Sequence, residues 1–248
     1  MIETKNNFHT KTMIWFILVL TSAVYFIPAL LWNSLKNDTW FYISAFIFML
    51  LFSFYLIMPL KNAKIKISRR FSLPDTFGYC LFIFTLCFLY YAVIEKMLDA
   101  YNIKDSRYSI FYYINSAYSE INFHAGRFPF SIVNATGILT ALLVPLLEEL
   151  FFRSYIQDSM KKYYGVWFSI SAPAFIVGLR HFSLFAINGQ YFCPASYFFA
   201  FAAFFGFCFF GYVYEVKNNL LPAVIVHFTA NISFLLCFKF FSAVISVC

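Results

Sequence analysis

The sequence predicts an all-α polytopic membrane protein with about seven transmembrane helices. Three observations carry that expectation. Of its 248 residues, 62% are hydrophobic and 12% charged, about half the roughly 25% charged residues of a soluble domain. Phe and Tyr supply 37 and 18 residues, more apolar surface than a soluble fold of this length can hide from water. The charges that exist are segregated, which leaves uncharged runs near the roughly 20 residues that a spanning helix needs.

The runs order the elements. Residues 12–35, 39–60 and 76–94 carry no Asp, Glu, Lys or Arg and predict spans at about 13–32, 40–60 and 76–94. The first is longer than a signal-peptide core and lacks a clear small-residue cleavage site, so it is expected to be an uncleaved span. All three read as scaffold or lipid-facing helices. The polar stretch 95–127 follows on the outer side, and its part 108–123, rich in Tyr, Phe and Ile, reads as a helix lying in the interface. Uncharged runs resume at 128–147, 163–179, 182–214 and 218–238. The longest, 182–214, holds the end of one span, a turn and the next span. Asn188, Gly189, Gln190 and Pro194 supply the turn chemistry. The chain thus divides into an N-terminal scaffold, 1–130 (three spans plus the outer-side segment), and a transmembrane core, 131–248, built on the last four helices.

The net charge of +7 is not spread as a nucleic-acid surface would be. Lys61, Lys64, Lys66, Arg69 and Arg70 crowd one short loop, which the positive-inside rule places in the cytoplasm. The N-terminus with Lys5 and Lys11 and the segments around Lys161, Lys162 and Lys217 then share that side. The turn near Asn188 faces outward, and seven spans leave the C-terminus outside. The expected partner is the lipid bilayer, whose anionic inner leaflet suits basic loops, and no nucleic acid. Six cysteines (Cys80, Cys87, Cys193, Cys208, Cys237, Cys248) show no C-x-x-C pairing and read as packing residues. His9 and His124 fall outside the spans and read as surface residues. The Phe, Tyr, Lys, Asn and Ile bias is compatible with an AT-rich bacterial genome, hence a bacterial plasma membrane.

In the second half, ionisable residues break into the apolar runs. Glu148, Glu149, Arg153 and Arg180 left alone in lipid would together cost roughly 10–14 kcal/mol at ~2.5–3.5 kcal/mol each. They are therefore expected to face one another or a wet cavity. In Glu148-Glu149-Leu150-Phe151-Phe152-Arg153, Glu149 and Arg153 lie four apart and share a helix face, a natural ion pair. Glu148 is rotated about 100° away and meets Phe152, not a base, at the fourth position. One carboxylate is thus tied down and the other is expected to be free for general-base chemistry. His181 ends the stretch 177–181, Val-Gly-Leu-Arg-His. His227 and Asn231 lie four apart on another helix, and both can donate hydrogen bonds to a developing oxyanion.

Depth supports their convergence. If the fourth span stays helical to about Met160, Glu148 sits ~18–20 Å above the inner boundary; His181, His227 and Asn231 fall at ~22, ~12 and ~18 Å at 1.5 Å per residue. A fourth helix ending at Arg153 would strand Glu148 near the inner surface. The reading therefore requires that helix to continue through Tyr155 and Gln157.

These elements resemble the CPBP family of type II CAAX prenyl endopeptidases and bacteriocin-processing or self-immunity proteins. That pattern is E-E-x-x-x-R, F-x-x-x-H and H-x-x-x-N or H-x-x-x-D on successive core helices, matched here by EELFFR at 148–153, VGLRH at 177–181 and HFTAN at 227–231. Gly206, Gly211, Tyr212, Tyr214, Asn219, Leu220, Pro222 and Ala223 add to the likeness. It covers about 138–231. The resemblance implies an intramembrane glutamic-type endopeptidase, with a catalytic core formed by the last four helices and no cofactor or metal. Its substrate would be a membrane-associated peptide or protein: prenylated, a leader or sorting peptide, or a bacteriocin. Glu148 and His181 would activate the attacking water, His227 and Asn231 would form the oxyanion hole, and Glu149 and Arg153 would support the site. Two positions depart from the pattern. Val177 replaces the Phe and is expected to be a packing residue. Arg180 is expected to point away, to pair with a carboxylate or to contact an anionic substrate group.

Three other readings stay open at the level of sequence. Two His and a carboxylate can ligate zinc, although no H-E-x-x-H is present. A non-proteolytic bacteriocin-immunity or binding protein could use the same scaffold. Intramembrane carboxylates also mark ion pathways.

Overall fold

The computed structural model describes residues 12–19, 57, 65–67, 71–100, 143–184 and 194–245. Among the described residues every regular element is helical. We label α1 Leu73–Ala100, α2 Asp158–Tyr164, α3 Val166–Leu184, α4 Pro194–Lys217 and α5 Leu220–Ile245, with a π-helical segment, Leu150–Gln157, running into α2. The expected interfacial helix at 108–123, most of the second span, His9, His124 and the turn residues Asn188, Gly189 and Gln190 lie outside the described residues, so the seven-span count extends beyond them.

The chain forms two compact units. One comprises Met1–Phe71, Leu147–Phe192 and Ser196–Ala223; the other comprises Ser72–Leu146, Cys193–Ala195 and Val224–Cys248. Each draws on both halves of the sequence.

The expected fourth span is helical from 143 to Tyr164 without a break, passing through Tyr155 and Gln157 as the depth reasoning requires and ending slightly beyond Met160; from Leu147 onward it belongs to the first unit. Its winding differs from expectation. Over Leu150–Gln157 the turns widen to i→i+5 bonding: the Asp158 N–H donates to the Arg153 carbonyl. All eight residues of this segment are buried. Gly165, at φ +78°, ends the helix in a conformation that favours glycine, and α3 begins at the next residue. Pro173 inside α3 has no N–H for the Ser169 carbonyl one turn earlier, the usual cause of a local bend.

Helix α4 starts at Pro194, a residue expected in the preceding turn; a first-turn position suits proline because its missing N–H would go unpaired there anyway. Its link to α5 is two residues long. Asn218 adopts φ 45°, which Asn tolerates better than most residues. Asn219 then caps α5, its side-chain oxygen accepting the Leu221 N–H at 3.1 Å. Residues 65–67 cross the same end of the unit, where the Lys66 carbonyl accepts the Leu220 N–H at 2.9 Å.

Two helices among the described residues are long and apolar enough to cross a membrane, at Leu73–Tyr90 and Tyr197–Lys217, with mean hydropathy 1.5 and 1.7. Only 17% and 28% of these stretches are buried, which separates them from core helices of a soluble protein. The exposed faces are large and apolar: Leu73, Phe77 and Leu81 on α1, Tyr197, Phe201 and Phe205 on α4, each set at four-residue spacing and so on one side. Such stripes are stable against lipid and not against water. Helix α1 is longer than the expected span, starting three residues before it and running to Ala100.

In the second unit, Thr76, Ile83 and Cys87 form the buried face of α1. Cys80, on the same side, meets α5 where the Thr229 hydroxyl approaches its sulfur at 3.3 Å. Cys80, Cys87 and Cys208 form no disulfide, and Cys87 is buried.

Candidate active site

The first unit gathers five of the seven residues singled out in the sequence. Glu148 and Glu149 are the last two residues of the α-helical stretch 143–149, and Arg153 lies in the π segment. Arg180 and His181 sit near the end of α3. His227 and Asn231 belong to the second unit.

The expected ion pair between Glu149 and Arg153 is present. Arg153 Nε donates to Glu149 Oε2 at 2.7 Å, and neither side chain has any exposed surface. A buried pair is worth keeping only when its remaining donors are also used, and those of Arg153 are. Its Nη1 donates to Gln157 Oε1 at 3.3 Å, and its Nη2 to the Phe207 carbonyl of α4 at 2.9 Å. The guanidinium also lies 5.4 Å from the centre of the Phe207 ring. Gln157 passes the link on, donating to the Gly211 carbonyl at 3.1 Å, and one turn further Lys161 pairs with Glu215. These rungs join residues 54 apart in sequence each time. A constant offset means that the helix over 147–164 and α4 run parallel.

Close approach makes the rungs possible. A Cβ on Gly211 would stand 2.9 Å from Arg153 Nη1 and 3.0 Å from Gln157 Oε1. On Gly178 it would stand 3.0 Å from the Ala200 carbonyl oxygen and 3.2 Å from Phe204 Cβ, so this glycine sets how near α3 comes to α4.

Glu148 is not left without a base, which corrects the expectation drawn from its i+4 neighbour. Its Oε1 accepts from Arg180 Nη1 in an ion pair across helices. Sequence spacing could not find this partner because it arrives from α3. Of the three fates expected for Arg180, pairing with a carboxylate is the one observed. The Glu148 side chain is 4% exposed and that of Arg180 13%.

His181 Nδ1 lies 2.8 Å from the Val177 carbonyl oxygen, one turn back. A carbonyl can only accept, so Nδ1 carries the proton and the neutral ring has its lone pair on Nε2. The ring packs against Phe199 and Phe207 at centroid distances of 5.3 and 6.5 Å. Val177 is buried at 1% exposure, so its side chain packs while its carbonyl orients the histidine. In the second unit, His227 is 4% exposed and Asn231 follows four residues later on α5, on the same helix face. Among the described residues no group of three or more His, Cys, Asp or Glu side chains is arranged to hold a metal ion.

The sequence reading named Gln157, Gly211 and the stretch containing Gly178 but gave none of them a part in the site, and it did not single out Phe207. For Gln157 a signal existed: it continues the four-residue spacing of Glu149 and Arg153. The carbonyl acceptors leave no trace in a sequence.

A helical membrane protein with an ion-paired, buried polar centre is the class these features define. Residues 131–233 match the family model described as type II CAAX prenyl endopeptidase Rce1-like. The match supports the CPBP resemblance drawn from the three motifs. The family is one of membrane-embedded proteases. Comparison with curated proteins and with solved structures gives no match.

Proposed function

We propose that the protein is an intramembrane endopeptidase of glutamic type, hydrolysing a peptide bond in a membrane-associated or lipidated peptide. Glu148 takes a proton from water as the hydroxide oxygen attacks the carbonyl carbon, and His181 Nε2 orients that water. The motif resemblance assigns the hydrogen bonds to the oxyanion to His227 and Asn231, a role suited to preorganised donors that meet developing charge. The proton held by Glu148 then passes to the leaving amine as the C–N bond breaks. Glu149, Arg153 and Gln157 fix the helix that carries Glu148.

The observation that carries this reading is the pairing of Glu148 with the residue adjacent to His181, while the neighbouring carboxylate is consumed by the brace. A purely structural network would not need His181 oriented with Nε2 as its basic nitrogen. The test compares peptides in membranes of cells carrying the wild type and Glu148→Ala. A fragment whose new terminus depends on Glu148 names the substrate and the bond. Identical peptide sets would instead favour a binding protein on the same scaffold.

A further inference from the structure

The two guanidiniums of the site differ in a way that assigns Arg180 a task. Arg153 is wholly buried, and its bonds run to Glu149, to Gln157 and to a backbone carbonyl. Arg180 reaches Glu148 from another helix and keeps some exposed surface. One is a fixture of the fold; the other is within reach of an incoming molecule.

While Arg180 Nη1 donates to Glu148 Oε1, the lone pair that receives it is not open to a proton from water. For Glu148 to take a proton, the pair must loosen. Arg180 cannot respond by losing its charge, because a guanidinium stays protonated in proteins. It can only change partner. Loss of this contact in a low-dielectric site is costly, and an incoming anion offsets that cost.

We propose that Arg180 is a specificity latch: it exchanges Glu148 for a carboxylate carried by the substrate near the scissile bond, and that exchange frees Glu148 to act as base. The inference rests on the proteolytic reading for its second half and not for its first. Recognition and activation become one event. A substrate bearing the anion takes the guanidinium and unlocks the base, whereas a neutral analogue leaves Glu148 paired.

The test uses the full chain in detergent micelles. The probes are a dye-labelled farnesylated tetrapeptide with a free C-terminal carboxylate and the same peptide as its C-terminal amide. Binding is followed by fluorescence anisotropy and cleavage by mass spectrometry. The wild type should bind the acid at least about tenfold more tightly than the amide, and Arg180→Gln should bring that ratio close to one. Glu148→Gln is the decisive variant. By removing the competing carboxylate it should bind the acid more tightly than the wild type does, while cleaving nothing. A salt bridge of purely structural value would not tighten binding when one partner is neutralised. The double variant Glu148→Gln/Arg180→Gln, which buries no unpaired charge, should bind acid and amide alike and controls for misfolding. Equal affinity of the wild type for acid and amide, or no tightening in Glu148→Gln, overturns the latch. Acid preference without any wild-type cleavage would leave the anion site standing and overturn the coupling of anion capture to release of the base for this peptide, while the protease reading stands or falls on the Glu148-dependent fragments.

Discussion

Two ion pairs of similar composition do different work because their burial differs. Glu149 and Arg153 have no exposed surface and share further bonds, so removing one partner strands the other. Arg153→Met should therefore cost about 3–5 kcal/mol, and a companion Glu149→Leu should recover much of that loss. Thermal unfolding of the three variants in detergent checks it; equal losses for single and double variants would contradict the pairing. By contrast, Lys66–Asp158 is partly exposed, at 36% and 19%. Screening and side-chain entropy leave such a pair worth ~0–1 kcal/mol, so Lys66→Ala should shift stability only slightly. Glycine positions obey the same logic of space. Gly178→Ala would push a Cβ against a backbone carbonyl oxygen, which cannot rotate away, and should cost about 1–3 kcal/mol as overpacking.

At the scale of elements, the fourth span decides whether a site forms. Helical periodicity read from the sequence finds the Glu149–Arg153 pair and the need for helix through Gln157, because both follow from four-residue spacing and rise. Nothing in Leu150–Gln157 signals π winding: its residues are ordinary, and the expectation assumed 3.6 residues per turn. Arg180 was legible as a buried charge in need of a partner, yet its partner was not, since contacts between helices have no sequence period. The rungs from Arg153, Gln157 and Lys161 to α4 repeat every four residues. An alanine inserted between Gln157 and Asp158 would rotate everything beyond it by about 100°. It should therefore break the Lys161–Glu215, Lys66–Asp158 and Tyr214–Asp158 links together. The expected result is a markedly lower melting temperature with membrane insertion retained; an unchanged melting temperature would show that these rungs are dispensable.

For the whole molecule, composition and charge segregation were enough to read an all-helical membrane protein, because lipid imposes that pattern on every residue it touches. Basic loops also give an orientation, which we propose as cytoplasmic for the end bearing Lys66, Lys161 and Lys162. A single cysteine introduced at Lys162, an exposed position, in a chain cleared of its native cysteines should react with a membrane-impermeant maleimide only after the cells are opened; labelling of intact cells would invert the topology. The chemical claim needs a kinetic measurement. With the peptide identified through Glu148, the wild type, Glu148→Ala, His181→Ala and the double variant should be compared in proteoliposomes. If the two residues act as one water-activating unit, each single variant should lose kcat by roughly the same large factor, and the double should lose hardly more. Losses that multiply, or a Glu148→Ala variant that still cleaves, would contradict the account.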